Sequence, residues 1–78
     1  MEKYKILKEV EGTELVIKHA RNLMNAYLDE RHSKEIRNNV YQRICEICET
    51  LEMLGIVENA AEFQNEIFGE ALDERETR

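Results

Sequence analysis

Two thiols three positions apart, Cys45 and Cys48, and five carboxylates four positions apart are the patterns in this 78-residue chain that could do chemistry. A Cys-x-x-Cys pair invites a zinc reading. A structural zinc site takes four ligands, usually from two such pairs on turns that let the thiolates converge. Here one pair stands inside a stretch that reads as helix interior, and neither His19 nor His32 has metal-ligand spacing to it. A redox pair sits at a helix amino terminus, where the thiol pKa is lowered, and not mid-helix. Cys48 follows Ile47 in the helical seam and reads as a small buried hydrophobe. No metal and no cofactor are expected.

The carboxylates are Glu58, Glu62, Glu66, Glu70 and Glu74. On a helix, four residues rise about 6 Å, so the row imitates crudely the repeat of phosphates along a nucleic-acid strand. Like charges at this spacing destabilise an isolated helix by about 0.2–0.5 kcal/mol per pair. Glu46, Glu49 and Glu52 form a second acidic patch just upstream. The whole span from Ile44 to Glu74 carries nine acidic residues and no Lys or Arg, whereas the first 43 residues hold nine basic and seven acidic ones. The net charge of −6 is therefore segregated, which builds a field that attracts basic surfaces. The bland alternative is a solvated helix face that keeps a small protein soluble. A third reading pairs the mildly basic first half with the acidic second half, within one molecule or across a dimer.

No Ser/His/Asp arrangement, phosphate-binding glycine loop or catalytic carboxylate pair occurs. His19 and His32 read as exposed helix and turn residues. A chain of this length also has little room for a catalytic pocket, so an enzyme is not expected. No apolar run is long enough to cross a membrane or to form a signal peptide, and a soluble, cytoplasmic protein is the expectation.

The elements that must carry these side chains are helical. The chain has no Pro and three Gly. Ile36, Val40, Ile44, Ile47, Leu51 and Leu54 recur at the helical period, giving a helix over 33–54 with Ser33 as N-cap and Gly55 as its Schellman stop. A second helix covers 14–30, with Thr13 as cap and an apolar face from Val16 to Leu28. Its stripe is out of phase with the next, so either a turn at Arg31–His32 gives an antiparallel hairpin, the preferred reading, or one long helix changes face there. The third helix starts at Asn59, where Asn59-Ala60-Ala61-Glu62 has capping-box form, and runs to Leu72. Residues 73–78 are polar and expected to fray. Residues 1–12 form a short amino-terminal element: Tyr4, Leu7 and Val10 favour a short helix, with a hairpin returning through Leu15 to Ile17 as the alternative.

The expected fold is all-α, a single domain over 1–78: an antiparallel three-helix bundle, or four with the amino-terminal helix. Its core is Ile17, Ala20, Met24, Tyr27, Val40, Ile44, Ile47, Leu51, Leu54, Phe63 and Ile67. Leu15, Leu23, Leu28, Tyr41, Phe68 and Leu72 are surplus to one core and point to homodimerisation as an alternative. Size, acidity and the lack of catalytic residues give the general look of inhibitors made by phages and other mobile elements. The functional expectation is an acidic inhibitor or adaptor, of an anti-CRISPR or anti-restriction kind, that uses Glu46, Glu49, Glu52, Glu58, Glu62, Glu66, Glu70 and Glu74 against a basic, nucleic-acid-type cleft on a partner protein. Direct nucleic-acid binding through Lys18, Arg21, Arg31, Lys34, Arg37 and Arg43 is the minority reading, because the chain as a whole is acidic. Membrane contact is not expected.

Overall fold

A computed structural model of the protein describes residues 5–76. Three helices follow one another: α1 (Thr13–Leu28), α2 (Lys34–Met53) and α3 (Ala60–Glu76). Each packs on the other two, so the expected three-helix bundle is present. Among the described residues there is no strand, and no helix is long and apolar enough to cross a membrane.

The start of α1 differs from expectation. Thr13 does not cap it; its hydroxyl points backward and donates to Val10 O at 2.6 Å, and its own N–H donates to the same oxygen. Gly12 takes the N-cap position with φ of 90°, a left-handed conformation open to glycine. Upstream, residues 5–12 are neither helix nor hairpin. Leu7 N–H donates to Ile56 O at 2.8 Å, and Ile6 packs against the core. A segment this short gains little from helical bonds of its own, so anchoring on the α2–α3 turn prevails. Tyr4, which entered the helical expectation, lies outside the described residues.

The predicted turn between α1 and α2 occupies residues 29–33. Asp29 organises it by accepting the Arg31 backbone N–H and both prongs of the Arg31 guanidinium. Ser33 Oγ accepts the Ile36 N–H at 3.2 Å and caps α2 as expected. Arg37, on the first turns of α2, donates to Tyr27 O at 2.7 Å, giving an α1 terminal carbonyl a partner. Its guanidinium also lies over the Tyr27 ring.

At the far end, α2 closes in the Schellman form. Ile56 N–H reaches Leu51 O, Gly55 N–H reaches Glu52 O, and Gly55 has φ of 76°. The turn then returns Ile56 and Val57 to the core, where both are buried. Leu54, expected inside, is instead 56% exposed. It stands at the C-cap, past the last packed turn, and Ile56 and Val57 fill the space it was expected to fill. Tyr27, Val40 and Ile47 pack at the edge of the core and not within it. The remaining expected positions are buried, joined by Cys48 and Ala71.

Asn59 Oδ1 accepts the Glu62 N–H at 3.0 Å, the forward half of the capping box. A second amide of the α3 amino terminus is satisfied from another helix: Ala60 N–H donates to Glu52 Oε1 of α2 at 2.8 Å. Helix α3 continues through Glu76, one turn beyond the expected end. No breaker follows Gly69, and Arg75 sits in the last turn, where the helix dipole favours a cation.

Candidate interaction surface

The facing of α3 decides where its glutamates point. Phe63, Ile67 and Ala71 are buried and define the inward side. At 3.6 residues per turn each step of four advances about 40°, so the row from Glu62 to Glu74 winds roughly 120° around the helix. The exposures follow this winding as far as Glu70, whereas Glu74, in the last turns, is exposed. Glu62 is exposed, Glu66 half-buried, and the Glu70 side chain 19% exposed against α1. Glu58 precedes the helix and belongs to the turn. The straight line of five carboxylates expected from the spacing is therefore a spiral of four with a fifth beside its start.

This spiral divides the row. Glu58, Glu62 and Glu66 come together, lining a shallow cleft of about 130 Å³ with Val57, Asn59, Phe63 and, from the amino-terminal segment, Lys5. Glu70 turns the other way: its Oε2 lies 3.7 Å from Arg21 Nε, a partly buried cross-link between α3 and α1. The second patch divides as well. Glu52 accepts the Ala60 N–H, whereas Glu46 and Glu49 are exposed on α2. Among the described residues, Glu46, Glu49, Glu58, Glu62 and Glu66 form no ion pair. Glu74, at the end of the spiral, is exposed and has an interaction of its own within the chain.

The basic strip around the first turn is largely engaged internally. Arg21 faces Glu70, Arg31 grips Asp29, and Arg37 holds the end of α1. Lys18, Lys34 and Arg43 remain exposed. The hydrogen bonds from the Arg31 side chain, then from its backbone, hold the Asp29 carboxyl well below the usual carboxylate range. The same contact raises the Arg31 pKa.

Cys48 is fully buried among the helices, and Cys45 Sγ lies 3.7 Å from Gln64 Oε1 on α3. Burial, followed by the proximity of Cys45 and Glu49, pushes the Cys48 thiol up to about 11. A thiol held neutral is a poor nucleophile and a poor metal ligand. Among the described residues no group of three His, Cys, Asp or Glu side chains is close enough to hold a metal ion.

One feature escaped the charge pattern altogether. An apolar groove of about 420 Å³ opens where the amino-terminal segment, the first turn of α1 and the last turns of α2 meet. Val10, Val16, Ile47, Leu51, Leu54 and Ile56 supply its apolar walls. None of the apolar positions counted as surplus in the sequence lines it, and Leu23 and Leu28 of that set pack against the core. Placing Leu54 in the core concealed that it lines this groove.

No protein-family model matches the chain, and no curated protein or solved structure matches it either.

Proposed function

We propose that this protein is a non-catalytic acidic interaction module, an inhibitor or adaptor, that offers carboxylates to a basic, nucleic-acid-type cleft on a partner protein. The observation that carries this reading is the gathering of Glu58, Glu62 and Glu66 at one cleft, without an ion pair, inside a 31-residue span free of Lys and Arg. Lys5 also lines the cleft, but three carboxylates outnumber it and none is ion-paired with it, so a net negative field is left for an outside partner, reaching about 8 Å at physiological salt. Glu46 and Glu49 extend it onto α2. Glu70 belongs to the bundle instead, through Arg21. A small acidic protein of this kind suits a mobile-element inhibitor that blocks a host enzyme acting on nucleic acid.

The test is capture from lysate on the immobilised protein, compared with the E58K/E62K/E66K variant and identified by mass spectrometry. The expected result is a nucleic-acid-binding protein held by the wild type, displaced by added duplex DNA and missing from the variant. Equal capture by both proteins would show the acidic cleft to be ordinary solvated surface.

Exposed Phe68 and Leu72 on α3 favour a second reading, a homodimer joined through apolar stripes. Sedimentation at two salt concentrations separates the two, because a hydrophobic dimer persists at high salt.

A further inference from the structure

The apolar groove at the α1–α2 end has apolar walls, and the charged residues in its lining, Glu11 and Glu46, are both acidic. Three further apolar residues belong to the segments that build the groove without lining it: Leu7, bonded through its backbone to Ile56, Leu15 and Met53. All three are exposed, Met53 to 83%. Exposed apolar surface edged by charged residues marks an interaction site.

The charge around the groove selects the occupant. The two stretches that build it, residues 9–17 and 44–57, contain Glu9, Glu11, Glu14, Glu46, Glu49 and Glu52 and no Lys or Arg. Glu11 and Glu46 are in the lining itself. A second copy docked symmetrically here would set these carboxylates against their own equivalents. A segment with apolar anchors and flanking cations would meet them favourably. The helix-in-groove mode supplies those anchors at i, i+3 or i+4, and i+7 along one face.

We propose that this groove is a docking site for a basic amphipathic helix of a partner protein, with its apolar side chains on Val10, Val16, Ile47 and Leu54 and its Lys or Arg residues toward Glu11 and Glu46. The site shares no residue with the Glu58–Glu62–Glu66 cleft and stands or falls separately from it.

The test uses the full-length, ¹⁵N-labelled protein and a model Leu/Lys peptide of about 14 residues, four helical turns, with its leucines on one face. The expected result is a saturable complex with amide shifts centred on residues 10–16 and 46–56, and a peptide that turns helical on binding. V16K/L54K, which alters two exposed side chains and keeps the helical circular dichroism, weakens binding about tenfold or more. E11Q/E46Q weakens it at low salt and much less at high salt. A peptide of the same composition with scrambled leucine spacing binds about tenfold more weakly. E58K/E62K/E66K leaves the peptide's affinity within about threefold, so failure of the other cleft is distinguished. Shifts centred on residues 58–66, equal binding of the scrambled peptide, or undiminished affinity in V16K/L54K or in E11Q/E46Q overturns the proposal. A dimer that covers the groove without peptide overturns it too.

Discussion

Replacing Ile67 by alanine tests the facing of α3, from which the placement of Glu62, Glu66 and Glu70 follows. Ile67 is 0% exposed, at the centre of the inward stripe. The substitution removes three carbons, so at about 0.8 kcal/mol per buried methylene the transfer loss is roughly 2.4 kcal/mol. The cavity left between tightly packed helices brings the total to about 3–4 kcal/mol, within the usual range for such truncations. A domain of this size has roughly 4–12 kcal/mol to lose, so the variant forfeits between about a quarter and nearly all of its stability. With a urea slope near 1 kcal/mol/M, the midpoint falls by about 3 M. Leu15→Ala is the matched control: it deletes as many carbons at a position 73% exposed, and costs about 0.5 kcal/mol or less. Urea unfolding followed by far-UV circular dichroism reads both. A difference between the two variants below about 1 kcal/mol would refute the burial pattern and, with it, the assignment of which glutamates face outward.

Glu52→Ala removes the acceptor of the Ala60 N–H and should cost about 1 kcal/mol, with faster hydrogen exchange at the first α3 amides; unchanged exchange at Ala60 would contradict the inter-helix cap. Asp29 should remain ionised below the ordinary carboxylate range, near 3.9, in an NMR titration of its carboxyl carbon. Its folded pKa is depressed, so its stabilising contribution is present above the unfolded pKa and is lost as pH falls through the folded one; Arg31→Ala should return the midpoint to the ordinary range. Cys48 should resist a thiol reagent at mildly alkaline pH while Cys45 reacts, and both should react equally in denaturant. Because folding holds the Cys48 thiol neutral up to about 11, stability should decline as pH rises above the ordinary thiol pKa, roughly 8.5, and Cys48→Ala should remove that decline.

Features governed by local spacing were legible in the sequence. The recurrence from Val40 to Leu51, the Ser33 cap and the Gly55 stop each act within a few residues, and the structure has all three. The turn at Arg31–His32 followed from a phase mismatch between two stripes, and residues 29–33 form it. Features set by tertiary partners were not legible. Leu7 binds Ile56, Glu52 caps α3, and Glu70 meets Arg21 across 49 residues of chain, and nothing near each residue announces its partner. The glutamate spacing was read as a straight row because a four-residue step is close to one turn; the residual 40° per step accumulates into a spiral. The groove was hidden for a related reason. Leu54 keeps the helical period of α2 but stands where the Schellman turn has already replaced it with Ile56 and Val57.

The most direct test of the acidic-cleft reading is the salt dependence of binding to the captured partner, measured with wild type and with E58K/E62K/E66K. The expected result is an affinity that drops steeply as salt rises and is lost in the charge-reversed protein at every salt concentration. An affinity indifferent to salt, or retained in full by the variant, would contradict it.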